Sequence, residues 1–162
     1  MKATGIVRRI DDLGRIVIPK EIRRVLRIRE SDPLEIFNDH EGSIILRKYS
    51  PIGDMGSFAK PFAESLAQVS GHIALIADRD QCIAAAGSGN KLLGKNLSKE
   101  MEEKMNARET ICASRGELGY VPITEDETEG YCHEVMIPIL AQGDIIGAVV
   151  LLANDENNPM SE

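Results

Sequence analysis

The chain has 162 residues, enough for one or two domains. Its 43% hydrophobic and 28% charged residues suit a soluble globular protein, and no apolar run reaches the ~18 residues of a membrane-spanning helix, which excludes a helical span. The net charge of −7 argues by itself against a nucleic-acid binder, but the charge is uneven: residues 1–29 hold nine Lys/Arg against three Asp/Glu, net +6, while residues 51–162 hold eight against eighteen, net −10. A basic end on an acidic body points to a nucleic-acid-binding module carried on a solvating domain.

The basic end is Gly5 to Ile28, with six arginines in that span and Arg29 just beyond it. They do not form one run. Arg8, Arg9, Arg15, Arg23, Arg24 and Arg27 alternate with Ile6, Val7, Ile10, Leu13, Ile16, Val17, Ile18, Ile22, Val25, Leu26 and Ile28. A solvated charge block lacks such a skeleton. A small core that holds guanidiniums in fixed positions is what contact with a phosphate-lined groove requires. The pattern predicts a strand over 5–10, a turn at Asp11-Asp12-Leu13-Gly14, a second strand over 15–18, and a helix from Lys20 to Leu26 behind Pro19.

Residues 29–33 read as a loop, and Leu34 to Phe37 alternates as a half-buried strand. A hairpin loop at 38–42 leads to a partner strand over 43–49. The module is therefore β-β-α-β-β in about fifty residues, too small for a self-sufficient core. It has no cysteine to staple it, so pairing with a second copy is its simplest rescue. The Pro/Gly-rich stretch 50–56 reads as a linker.

Beyond it, a helix is expected over 57–70, or from Pro61, with Phe58, Phe62, Leu66 and Val69 as one apolar stripe. Strands are expected at 72–77 and 81–86. The loop Gly87-Ser-Gly-Asn90 lacks the lysine-serine pair of a phosphate-binding loop. Ser98 is placed to cap a helix from Lys99 to about Arg108, with Leu97, Met101 and Met105 on a core face. Residues 109–133 show no clear pattern. The runs 134–141 and 145–152 predict a hairpin of long central strands.

The phrases TGIVRRIDDLGRIVIPKEIRRVL, DPLEIF and IILRKYSP resemble the DNA-binding module of the AbrB family of bacterial transition-state regulators. The closing phrase PI…GDIIGAVVLL and the order of elements before it are similar to a GAF-type sensor domain. The resemblance implies an α+β chain: an AbrB-like swapped-hairpin β-barrel dimer module at residues 1–52, a linker at 53–56, and a GAF-like domain at 57–162 without its usual C-terminal helix. Its implied function is a DNA-binding transcription regulator of sporulation-type gene expression, activator or repressor, in the cytoplasm on the nucleoid.

By position in the motif, Arg8, Arg15, Arg23 and Arg24 are expected to contact double-stranded DNA, with Arg9 beside them. The implied partners are DNA, a second copy through the first module, a tetramer through the second domain, and a small-molecule effector of unknown identity. No membrane, cofactor, metal or catalytic residue is implied. Surface pairing of the arginines with Asp11, Asp12 and Glu21 is the competing account of the charge. An antitoxin of swapped-hairpin type shares the first module but ordinarily carries a disordered tail after it. A cysteine-based redox enzyme is the remaining alternative. Cys82, Cys112 and Cys132 match no zinc spacing, follow no secretory signal, and suit a reducing cytoplasm.

Overall fold

The structure is a computed structural model that describes residues 5–54, 56–127, 130–155 and 160. The chain divides into two units, Met1–Tyr49 and Ser50–Glu162.

In the first unit, helix α1 spans Lys20–Val25 and follows Pro19, whose fixed φ and missing N–H suit the position before a first turn. It stops at Arg27, which takes φ +53°. Ile28 N–H bonds Arg23 C=O at 2.7 Å and Arg27 N–H bonds Arg24 C=O at 3.3 Å, the paired bonds that close a helix through a left-handed residue. Strands β1, Leu34–Asn38, and β2, Ile44–Lys48, form an antiparallel hairpin with Leu34 opposite Lys48 and Asn38 opposite Ile44.

Two turns of this unit share one design. Asp39 N–H bonds Ser43 C=O at 3.1 Å, and Asp39 Oδ1 accepts from Glu41 N–H at 3.0 Å and Ser43 N–H at 2.7 Å, with Gly42 at φ +82°. Asp11 does the same with Arg15 C=O at 3.1 Å, Leu13 N–H at 3.0 Å and Arg15 N–H at 2.7 Å, with Gly14 at φ +75°. Glycine at the left-handed position lets a three-residue loop rejoin a strand. Around the Asp39 turn strands form; around the Asp11 turn they do not. The strands expected over 5–10 and 15–18 are absent. No hydrophobic side chain described in residues 5–49, Pro19 aside, is buried. Val7 is 86%, Val17 74% and Val25 77% exposed.

The second unit is built on a five-stranded antiparallel sheet in the order β4-β3-β7-β6-β5. The strands are β3 Ile73–Ala77, β4 Cys82–Ala86, β5 Ile111–Ser114, β6 His133–Ala141 and β7 Asp144–Ala153. β7 and β6 form the long hairpin that the sequence predicts; β5 falls where the sequence shows no pattern. Pro138 is tolerated in β6 because β5 ends opposite Met136, leaving β6 an edge there.

The stretch expected as linker is helical: α2 spans Pro51–Asp54 and α3 Gly56–Ser70, while Met55 lies outside the described residues. α3 runs through Pro61, near enough to its start that few intrahelical bonds are lost. Its apolar stripe faces outward: Phe58 and Phe62 are each 62% exposed. Ala59 and Ala63, with Ile52 from α2, pack instead against Ile76, Ala84 and Ala86. Small residues on both sides permit the close approach that a phenylalanine would block. On the sheet's other face, Leu75, Cys82, Met136, Val150 and Leu152 pack with Leu97, Met101 and Met105. Met101 and Met105 belong to α4, Lys99–Asn106, whose cap is Ser98: its side chain accepts from Met101 N–H at 3.0 Å. The Gly87–Leu92 stretch is a short 3-10 helix. Residues 156–159, 161 and 162, where the closing helix is expected to be missing, lie outside the described residues.

Gly147 carries a sharp requirement. A Cβ there would collide with the Ala77 carbonyl oxygen of β3 and come within 2.9 Å of Ile52 Cδ1. Gly147→Ala is expected to cost about 1–3 kcal/mol by overpacking. Thermal unfolding checks it, and an unchanged melting temperature would contradict this packing.

Candidate nucleic-acid interface

The five arginines singled out by the sequence all lie in the first unit. Arg8 and Arg9 precede the Asp11–Gly14 turn, and both are exposed. Arg15 leaves that turn with its Nε donating to Asp11 Oδ2 at 2.8 Å. Asp11 is held below the usual carboxylate range by the Arg15 backbone N–H, then by the Arg15 guanidinium, and less by the Leu13 N–H. The turn thus orients Arg15 while leaving its side chain 68% exposed. Exposed pairs of this kind contribute little stability, so the pair is better read as orientation than as fold glue.

Arg23 and Arg24 lie in α1. Arg24 is exposed; Arg23 is half-buried, and its Nε is buried with no hydrogen-bond partner among the described residues. The structure therefore brings Arg8, Arg9 and Arg15 around one turn and Arg23 and Arg24 onto one short helix. The competing ion-pair account applies to Arg15, through Asp11.

None of the three cysteines is in a disulfide. Cys82 is buried in β4, where burial, with a smaller push from the Asp78 charge, raises its thiol to about 11. A thiol that stays protonated at neutral pH is a poor nucleophile. Cys132 Sγ donates to Asn154 C=O at 3.1 Å, and Cys112 is exposed on β5. Among the described residues no three His, Cys, Asp or Glu side chains are grouped to hold a metal ion.

Sequence reasoning missed one feature. Glu134, in sequence only the start of a strand, is fully buried in β6. The signal was present: an acid heading the apolar run Val135-Met-Ile-Pro-Ile-Leu140.

Residues 7–54 match the family described as antidote-toxin recognition MazE, bacterial antitoxin. Residues 54–162 match the family described as stage V sporulation protein T C-terminal, transcription factor. Over 157 residues the chain is 52% identical to stage V sporulation protein T of Bacillus subtilis (strain 168), covering 96% of this chain and 87% of that protein. Over 51 residues it is 63% identical to the transition state regulatory protein AbrB of the same organism, covering 32% of this chain and 52% of that protein. The GAF domain of an Acinetobacter phosphoenolpyruvate-protein phosphotransferase superposes with a TM-score of 0.52 at 13% identity, over 67% of this chain and 70% of that one. That likeness shows the GAF-like α+β fold of the second unit, while the first matches AbrB in sequence. The antitoxin match stops at residue 54, whereas the transcription-factor similarity runs through both units. The chain belongs to the stage V sporulation protein T family of transcription factors.

Proposed function

We propose that this chain regulates sporulation-type gene expression by binding double-stranded DNA as a dimer, on the nucleoid in the cytoplasm. Residues 1–52 form the DNA-binding domain, residues 53–56 join it to the next, and residues 57–162 sense a small molecule or build a higher assembly. Arg8, Arg9, Arg15, Arg23 and Arg24 are the contacts.

One observation carries this reading. The first unit has oriented, exposed arginines on an apolar skeleton that a single chain does not bury. A second copy supplies the missing core, and two-fold pairing repeats the arginines for two halves of a site. The outward Phe58 and Phe62 of α3 support assembly through the second domain as well.

The test is DNA binding of the full chain across a salt series, with Arg8→Ala and Arg24→Ala beside it. Each substitution is expected to weaken binding by about 1–3 kcal/mol and to flatten the log–log salt slope by about 1 for each phosphate no longer neutralised. Melting temperature should not change, since Arg8 and Arg24 are exposed. Parental affinity in both variants would refute the assigned surface.

A further inference from the structure

Five side chains of the GAF-like domain end in buried polar atoms without a hydrogen-bond partner among the described residues: Glu134 Oε2, Glu127 Oε1, Tyr120 Oη, Tyr131 Oη and His133 Nε2. The His133 ring is held through Nδ1, 3.0 Å from Ser114 Oγ, and the other four form one group. Glu134 is fully buried and Tyr131 is 3% exposed. Each carboxylate is half satisfied. Glu134 Oε1 accepts from Val121 N–H at 2.8 Å, and Glu127 Oε2 accepts from Ile123 N–H at 2.8 Å. The four lie within electrostatic reach of one another: Glu127 and Glu134 both push the Tyr120 hydroxyl up, after burial, and Glu127 and Tyr120 push up that of Tyr131.

Cations stand at the rim. Arg115 Nε donates to Tyr131 C=O at 3.2 Å. A Cβ built on Gly130 would lie 2.6 Å from Tyr120 Oη and 3.3 Å from Arg115 Nε, so hydroxyl and guanidinium converge there. Lys91 Nζ stands 5.7 Å from the centre of the Tyr131 ring. Arg115 and Lys91 are exposed.

Buried polar groups without partners are uncommon and costly, and four in one place are not explained by folding alone. Stability given up locally is the mark of a site built for something else. Acceptors lie inside and cations outside. An anion alone would meet Glu134 and Glu127, and an apolar molecule would leave every orphaned atom unpaired. An ammonium group satisfies the carboxylates and phenols and is attracted to the aromatic rings. A carboxylate on the same molecule meets Arg115 and Lys91 at the rim.

We propose that Glu134, Glu127, Tyr120 and Tyr131, with Arg115 and Lys91 at the rim, form a binding site for a small zwitterion of the free amino acid class. The ammonium lies on Glu134 and Glu127, and the carboxylate on Arg115 and Lys91. The site gives the sensing role proposed above a ligand class, and it rests on that role.

The experiment uses the full chain with the twenty L-amino acids offered singly, read by thermal shift and by calorimetric titration. DNA affinity is measured in parallel. At least one amino acid is expected to raise the melting temperature by several degrees, while its analogue lacking the amine does not. Glu134→Gln should weaken that ligand at least tenfold. Lys91→Ala, at an exposed position, should weaken it severalfold without moving the unliganded melting temperature, which keeps the test valid if the core variant folds poorly. No shift from any amino acid, or parental affinity in both variants, overturns the site. DNA binding that persists in that case leaves the regulator intact. Amino acid binding that leaves DNA affinity unchanged keeps the site and removes the sensing role.

Discussion

Ile16→Glu is expected to abolish dimerisation of the full chain and, with it, DNA binding. In the single chain Ile16 is 50% exposed, and a charge there should be harmless. In the proposed dimer Ile16 belongs to the shared core, together with Ile6, Val7, Ile10 and Val17, all exposed in one copy. An unpaired carboxylate in that core costs several kcal/mol, and about 1.4 kcal/mol is a tenfold change in an equilibrium constant. Dimerisation should therefore weaken by ~100-fold or more. Sedimentation of the variant at micromolar concentration checks this, and DNA binding checks its consequence. A variant that stays dimeric with parental DNA affinity would show that the exposed apolar surface is not an interface, and the proposed architecture would fall.

The second large effect is on pH dependence. Burial pushes the Glu134 carboxyl up to about 7; the Val121 N–H opposes this, and the Glu127 charge adds to it. In the unfolded chain the same group ionises near its ordinary value of 4.5. Between those two values the folded state holds the proton that the unfolded state has released, so stability falls as pH rises through this window. Below it the contribution is whole; above about 7 it is lost. The difference corresponds to roughly 3 kcal/mol. Glu134→Gln, neutral at every pH, should lack this slope: similar to the parent at pH 5 and about 3 kcal/mol more stable than it at pH 8. Denaturant unfolding at the two pH values, followed by the fluorescence of Tyr120 and Tyr131, measures it. Parallel profiles for parent and variant would mean that Glu134 is ionised in the fold.

Legibility differed between the two units for a physical reason. α1, β1, β2, α4 and the β6–β7 hairpin carry their signals locally, as Pro19, the Asp39–Gly42 turn, the Ser98 cap and long β-branched runs. Such signals act over a few residues and survive in any context. The Asp11–Gly14 turn is just as clear, yet the strands expected on either side of it are absent: a turn signal fixes a few residues and does not by itself extend into a ladder. β5 was hidden because four residues are too short to show a period against a glycine-rich surround.

Sequence by itself determined the division into a basic module and an acidic domain, the spacing of Arg8, Arg9, Arg15, Arg23 and Arg24, and the turn that carries Arg15. These depend on composition and on contacts four or fewer residues apart. Only the tertiary structure decided which face of α3 packs: the alanines turn inward because β4 is itself built of alanines, and the phenylalanines are left outside. It also decided that Glu134 is buried within reach of Tyr120 and Glu127. The alternation of a strand assigns a residue to one of two faces, but which face is covered depends on segments distant in the chain.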